Sequence, residues 1–514
     1  MAGGTGDGPT NHGSQWSDRL IEHTDLATDD RTDRVGHVVS EIEGRGLHSI
    51  RLAFADVHGV LRGKTIRADL VADAFTDGVG ITSALLMKDT GQNNVYPVWA
   101  AGGGLDQPWM TGAGDMMMVP DPSTFRVLPW AAGTGWLLCD LVTPDGAAIE
   151  FSTRRLCAML DREMRSTGRR LVAGLEVEFH LYHREAGSGS RAPNSTTPTG
   201  PRSAHLSPIH PGWMYLGENR FDTIEPLLEP LRSNLTALGL PPRSLEIELG
   251  PGQVEMTFSP GGALEVADQA LLLRAAVNQI ARRHGLLATF MSRPHVPGSF
   301  TSGWHLHQSL VDGDDGTNLF ALPPGAPSGT PSGAPFGPTS GSPLADSGRH
   351  YLAGLLGNAA ESCLLTTPTV TGYKRYRAES LAPLRASWGS QNRGAMLRII
   401  GRSGDPATRI ENRVGDPAAN PYLYLTSQMV SGRLGLDAKE EPPPSADSPY
   451  GEEAGPRLPT YLGQAIDRFD GSAVYRTALG DPFVDYLVGI KRAEWNRFLS
   501  TVTDWEHEEY MELF

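Results

Sequence analysis

Cysteine is scarce in this chain: Cys139, Cys157 and Cys363 are the only three among 514 residues. Three thiols so far apart exclude the disulfide framework of a small secreted domain, and they lack zinc-site spacing. Reduced thiols in a cytoplasmic protein are the expectation. Long apolar runs are also missing. None approaches the roughly 20 residues that span a bilayer, so no membrane association is expected. The opening MAGGTGDGPTNHGSQWSDRL has no basic stretch followed by an apolar one, so no secretion signal is read there. Positive charge is in deficit. There are 44 Lys and Arg against 59 Asp and Glu, a net charge of −15, which disfavours nucleic acid as a partner. No GxxxxGK[ST] phosphate loop occurs, and the glycines at 102–104 lack the strand and helix that a nucleotide loop needs.

Apolar residues at 39% and charged residues at 20% fit a soluble globular protein, and the length suggests two to four domains. Residues 1–35 are polar and Gly-rich and read as a disordered tail. Val35–Gly46 suits a helix, and Ile50–Asp56 alternates like a strand. GDMMMVPDPSTFRVLPW and WLLCDLVTPDG read as short strands broken by proline and a turn. The spacing predicts a helix over 153–167, capped by Ser152 or Thr153, and another from Leu264 that Gly285 stops. A Pro-, Gly- and Ser-rich insert over 322–347 has too little apolar content to fold alone, and a shorter polar insert lies near 187–201. The C-terminal segment from LPTYLGQAIDRF reads as helices.

Four clusters carry chemistry. GLEVEFHLY puts Glu176 and Glu178 at i and i+2, on one face of a strand. Such a pair is unfavourable unless a cation or an arginine lies between them; an exposed strand face is the bland reading. LEIELGPGQVEM holds Glu248 and Glu255, which simple alternation puts on opposite faces unless Gly250-Pro251-Gly252 resets the register. Glu246 reads as their solvent-side neighbour. SGWHLHQSL gives His305 and His307, with Ser309 continuing the face. These are metal ligands, phosphate donors or core histidines. YKRYRAESLAPLRASWGSQNRGAMLRI and TRIENRVGDPAANPYL supply Arg375, Arg393, Arg398, Arg409 and Arg413 around Glu411, interleaved with Leu, Ile, Gly and Pro as in a lined cavity. Carboxylates with imidazole suit Mg²⁺ or Mn²⁺, and arginines beside them suit ATP phosphates.

Taken together and in this order, these segments resemble the glutamine synthetase superfamily from about Ile50 to Phe514. The resemblance implies an α+β protein, with a small N-terminal β-grasp domain over 36–145. A catalytic domain with a curved antiparallel sheet follows over 146–514. It implies a homo-oligomeric ring, such as a dodecamer, with sites shared between adjacent subunits. Glu178, Glu248 and Glu255 match the ligands of one metal, and Glu176, His305 and Glu411 those of a second. His307 and Ser309 match nucleotide contacts. Arg393, Arg398 and Arg409 match the phosphate and transition-state arginines. Arg375 and Arg413 match those that hold the acid substrate, and Asp56 an aspartate donated to the neighbouring subunit's amine site.

The substrate end departs from the family pattern. Leu381 stands where a flap glutamate precedes Ala-Pro, and a leucine neither accepts a proton nor attracts a small cation. Phe300-Thr301-Ser302-Gly303 replaces Asn-Gly-Ser-Gly, so Thr301 and Gly303 fall where bound glutamate is contacted. Thr371-Gly372 replaces Asn-Ser. The expected activity is ATP-dependent joining of the γ-carboxylate of glutamate to a small organic amine. The alternatives are ordinary glutamine synthesis, a ligase for a different acid, and a non-catalytic regulatory homologue.

Overall fold

Two sheets organise the chain, and strand alternation decides what each presents. A computed structural model describes residues 19–184, 206–323, 344–378 and 380–514. The first sheet is built from β1 (Ser49–Ala55), β2 (Leu61–Arg67), β3 (Val79–Thr82), β4 (Asp115–Pro120), β5 (Arg126–Val127) and β6 (Thr134–Val142), in the order β2-β1-β6-β4-β3 with β5 on β6. Only the β1–β6 pairing is parallel. Ile50, Leu52 and Phe54 of β1 are buried. No residue of the edge strand β2 is, and its Arg62, Lys64 and Arg67 are the charges that discourage stray strand pairing.

The second, ten-stranded sheet contains β7 (Arg169–Arg184), β8 (Leu206–Pro208), β9 (Ser244–Ile247), β10 (Gln253–Thr257), β11 (Gly261–Gly262), β12 (Leu286–Thr289), β13 (Trp304–Asp312), β14 (Trp388–Ser390), β15 (Leu397–Ile400) and β16 (Arg409–Gly415). Its spine runs β14-β15-β16-β13-β7-β10-β9, antiparallel except for β14–β15. The sequence of β7 alternates Leu171, Ala173, Leu175, Val177, Phe179 and Leu181, all buried, with Gly174, Glu176 and Glu178. The apolar set packs on helices. The polar set is left on the opposite face.

Those helices are α1 (Asp29–Gly44) and α2 (Val71–Asp77) beside the small sheet, then α3 (Thr153–Ser166), α4 (Glu218–Ala237), α5 (Ala263–Arg283), α6 (Asp346–Gly357), α7 (Ala359–Thr366) and α8 (Pro421–Ala438). The chain ends in α9 (Leu462–Asp470), α10 (Ala473–Leu479), α11 (Asp481–Leu499) and α12 (Asp504–Tyr510). α3 and α5 lie against β7, and α8 packs on α3, α5 and α6. This is the α+β class expected. Asn420 opens α8: its Oδ1 accepts from Tyr422 N at 3.0 Å, and its Nδ2 donates to the carbonyls of Asp56 and Val57 at 3.2 and 3.1 Å. The turn after β1 is thereby tied to the larger sheet's helices.

Two expectations need correction. The stretch read as a disordered tail to residue 35 is ordered from Arg19, with a 3-10 turn at Leu20–His23 and α1 from Asp29. Its start, with Asp29 and Asp30 ahead of Arg31, shows no apolar stripe. Caps and one long reach hold it instead: Thr28 Oγ1 accepts from Arg31 N, and Arg31 donates to Pro120 O at 2.7 Å. The insert read as 322–347 is narrower. Leu344 is buried and bridged to Ala321, and α6 begins at Asp346. Residues 1–18, most of that insert (324–343) and the polar insert at 187–201 lie outside the described residues.

Candidate active site

The polar face of the ten-stranded sheet gathers the predicted residues through register alone. His305 lies opposite Glu176, and Glu178 opposite Glu255. His307 lies opposite Glu411, and Glu411 opposite Arg398. Even positions of β7 and β15 and odd positions of β10, β13 and β16 as far as Glu411 therefore share one surface, while Trp304, Leu306, Ile410, Val254 and Met256 fill the other; the β13–β16 register shifts between Trp304 and Leu306. Glu246, expected on the solvent side, is directly across from Glu255 and joins this face. The reset at Gly250-Pro251-Gly252 brings Glu248 alongside. Glu248 N donates to Gln253 O at 3.0 Å across the turn, and the Glu248 side chain is buried.

Glu176 sits between the two histidines. Its carboxylate is 2.6 Å from His305 Nδ1 and 2.9 Å from His307 Nε2. Arg409 Nε donates to His307 Nδ1 at 3.1 Å, so His307 carries its proton on Nε2 and donates it to Glu176. Donation from His305 Nδ1 leaves Nε2 of that ring as an acceptor, 3.9 Å from Glu178. Glu411, fully buried, accepts from Arg398 at 3.1 Å and from Arg413.

Burial and mutual repulsion shape the charge. Burial raises the Glu178 carboxyl, and Glu248 adds to it. Burial raises Glu255 further, with Glu176, Glu178 and Glu248 contributing. Burial also raises Glu248. Burial opposes ionisation of Glu176 as well, but hydrogen bonds from His305 and His307 outweigh it and hold that carboxyl low. Carboxylates buried this closely together favour a cation among them, because it relieves both their burial and their mutual repulsion. Among the described residues, two trios bring ligand atoms within 4.8 Å of one another: Glu176, Glu255 and His305, and Glu176, His307 and Glu411. The donor set of carboxylate oxygens and imidazole fits a hard divalent cation. His307, matched to a nucleotide contact, thus also stands among groups able to hold one.

Arg375 is buried in a 3-10 turn (Gly372–Arg375) and donates to the carbonyls of Val414 and Gly415 at 3.0 and 2.5 Å. Gly303 is where this arginine meets the cluster: a Cβ there would lie 2.8 Å from Arg375 Nη2 and 2.9 Å from His305 Nε2, so a larger residue would displace both groups. Arg393 is exposed. Leu381 is 46% exposed with φ +60°, a left-handed conformation that leucine rarely adopts. Asp56 is not brought to the cluster within one chain. It is buried in the turn after β1, accepting from His58 N, Val60 N and Arg62 Nε at 2.9–3.0 Å. Thr301 contributes its carbonyl to Gln253 Nε2 at 3.1 Å.

Gln253 is the residue that sequence reasoning passed over. Fully buried, it donates to Glu178 Oε2 at 2.7 Å and to Ser302 Oγ at 3.2 Å, while its Oε1 accepts from Gly250 N at 2.8 Å. One amide therefore fixes both the turn and Glu178. Its signal was present, since it stands in GPGQ between the two glutamates. Beside the cluster, a cavity of about 1040 Å³ runs from Glu176, His307 and Arg409 past Ser309 and Phe258 to Arg243.

The model of the glutamine synthetase catalytic domain matches residues 150–510. The chain is 39% identical to a γ-glutamylanilide synthase of Acinetobacter sp., covering 96% of this chain and 99% of that protein. It is 29% identical to a glutamate–isopropylamine ligase of Pseudomonas sp., covering 92% and 96%. A solved structure of GmaS without ligand superposes with a TM-score of 0.72 at 26% identity, over 92% of this chain and 99% of that one.

Proposed function

The chain belongs to the glutamine synthetase family, and from that premise we propose that it is an ATP-dependent ligase joining the γ-carboxylate of glutamate to an organic primary amine. The observation that carries this reading is the 39% identity, over nearly the whole of both chains, to a protein named for making a γ-glutamyl anilide. Retention of all six carboxylate and histidine positions on one sheet face supports catalysis over a non-catalytic role. The apolar Leu381 on the flap speaks against ammonium as the amine.

In this reading Glu178, Glu248 and Glu255 hold one Mg²⁺ or Mn²⁺, and Glu176, His305 and Glu411 hold a second. When bound, the cations neutralise phosphate charge during transfer. The large cavity takes ATP, with His307, Ser309 and Arg409 toward its phosphates. Arg393 and Arg398 stabilise the transferring phosphoryl group. Arg375 and Arg413, with Gly303 and Thr301, orient the acid. A γ-carboxylate oxygen attacks the terminal phosphorus and ADP leaves. The amine nitrogen then attacks the acyl carbon of the γ-glutamyl phosphate, phosphate departs, and a carboxylate such as Asp56 of an adjoining subunit takes the proton. The fold division at residue 145, a ring assembly and a cytoplasmic setting complete the proposal.

The test supplies purified protein with ATP, Mg²⁺, glutamate and a panel containing aniline, isopropylamine, ethanolamine and ammonium. ADP and the γ-glutamyl amide are followed by mass spectrometry. Ammonium as the best substrate would return the chain to glutamine synthesis. Product only with another acid would remove glutamate from the proposal. No ADP release and no amide with any amine on the panel would defeat the ligase reading.

A further inference from the structure

The face of β7 that carries Glu176 and Glu178 continues to His180, which lies opposite Gln253 on β10 and Thr289 on β12. Its imidazole is fully buried, with its ring nearly parallel to that of Tyr182 at 5.9 Å. Its polar contact is with the segment between β12 and β13, where Ser302 Oγ lies 3.2 Å from Nδ1. A buried imidazole costs more than an apolar ring of the same size unless a nitrogen makes a needed hydrogen bond.

The direction of that bond follows from the other partner of the hydroxyl. Gln253 Oε1 accepts from Gly250 N at 2.8 Å, so its Nε2 faces Ser302 and donates to Oγ at 3.2 Å. Ser302 Oγ therefore receives a proton from Gln253, and its own has His180 Nδ1 as acceptor. His180 then carries its proton on Nε2, a buried atom that finds no partner among the described residues. The ring is held in place for what Nδ1 does, since leaving the Nε2 proton unanswered is costly.

Ser302 is the middle of the turn that faces the acid. Its N donates to Ser292 O at 2.8 Å. Next to it, Gly303 N donates to Glu178 Oε2, and Glu178 N to Gly303 O, both at 3.0 Å. On its open side the turn meets Arg375 and His305 at Gly303. The Ser302 hydroxyl ties the turn to the sheet beneath, through Gln253 and His180. We propose that His180 is a positioning residue for the acid substrate: by accepting from Ser302 it sets Thr301–Gly303 against Arg375, while touching neither substrate nor cation. This rests on the ligase reading above, in which Arg375, Gly303 and Thr301 orient the acid. Glu178 keeps both of its donors, Gln253 Nε2 and Gly303 N, when the His180 bond is lost, so the effect on the acid is separable from any effect on the cation.

The experiment measures steady-state ADP release with glutamate as the acid and the best amine of the panel above. His180→Phe keeps a ring of similar size and removes the acceptor; Ser302→Ala removes the donor of the same bond. Each is expected to raise KM for glutamate by about tenfold, with kcat within about threefold of wild type. KM for ATP and the affinity for Mn²⁺ are expected to stay at their wild-type values. The double variant is expected to be no worse than the worse single one, because both changes break one bond. His180→Asn, whose side-chain oxygen falls near the place of Nδ1, is expected to lie closer to wild type than His180→Phe. Where His180→Phe does not fold, Ser302→Ala carries the test. An unchanged KM for glutamate in the single variants overturns the inference, and so does full additivity in the double variant. A KM for ATP or a Mn²⁺ affinity that moves together with the KM for glutamate also overturns it, since the ring then supports the whole site. All of these outcomes leave the ligase reading intact; only a wild type that makes no amide at all defeats that reading, and the role of His180 with it.

Discussion

Replacing Gln253 with methionine keeps the side chain's length and removes every hydrogen bond it makes. In the native protein its amide reaches Glu178 Oε2 at 2.7 Å, Thr301 O at 3.1 Å and Ser302 Oγ at 3.2 Å, and accepts from Gly250 N at 2.8 Å. Ser302 Oγ keeps a second partner in His180 Nδ1 at 3.2 Å, and Glu178 Oε2 keeps Gly303 N at 3.0 Å. Gly250 N loses its contact outright in a buried setting, and Thr301 O in a half-buried one. Two stranded backbone groups at about 1–2 kcal/mol each set an expected loss of roughly 2–4 kcal/mol. Glu178 also loses one of the two donors that orient it. Loss of an orienting partner weakens metal affinity by roughly 10–100-fold. Urea denaturation reads the first effect, and Mn²⁺ titration followed by ADP release reads the second. A variant within about 0.5 kcal/mol of wild type, binding Mn²⁺ equally well, would refute the assignment of Gln253 as the clamp on Glu178.

Removing divalent cations is expected to abolish activity, with Mg²⁺ or Mn²⁺ restoring it. Because Glu178 and Glu255 are held toward the protonated form, Mn²⁺ must displace protons, and its apparent affinity weakens as pH falls; calorimetry in buffers of different ionisation heat detects that release. Leu381→Glu should move the kcat/KM ratio toward ammonium by about tenfold, about 1.4 kcal/mol, and side-by-side kinetics with the best amine measure it. Burial, reinforced by Lys491, holds the His58 imidazole below its ordinary value. The folded state then binds fewer protons than the unfolded one below about pH 6.5, so this stability is complete above that pH and is lost on acidification by up to about 1.4 kcal/mol per unit. His58→Gln should flatten that slope in urea midpoints taken between about pH 5 and about pH 7.

The phosphate and cation end was legible because it is made of strands. Period two puts Glu176 beside Glu178 and His305 beside His307 whatever surrounds them, and β7 pairs with β13 in unbroken register from Arg169 to Val177. Glu246 was misplaced for the same reason that Glu248 and Glu255 stayed ambiguous. A Gly-Pro-Gly break hides the register, and only the pairing of β9 with β10 shows that Glu246 faces Glu255. The first turn of α1 was missed because its order comes from a cap and from Arg31 reaching Pro120, a partner 89 positions away. The apolar loop at 213–216 gave no periodic signal at all. Its left-handed residues, Trp213 and Leu216, exist because the turn at 247–253 holds them, and no local propensity encodes that.

This division has a consequence for how specificity changes in such a protein. Side chains on the sheet face are locked by neighbours on both sides. Glu411 alone is committed to Arg398 and Arg413, and Glu176 to both histidines. Changing any one of them strands a buried charge, at a cost of several kcal/mol. Leu381 sits on a loop, exposed, and its side chain has no hydrogen bond that a substitution would break. A change there alters what the site admits without disturbing what it does to phosphate. The chemistry of acyl activation and the choice of amine are therefore separable in this fold. Variants at 381 should shift substrate preference with little loss of the half-reaction from ATP and glutamate, whereas variants at 176, 248 or 411 should lose that step for every amine alike. An amine-dependent defect in Glu411→Gln would show that the two functions are not divided in this way.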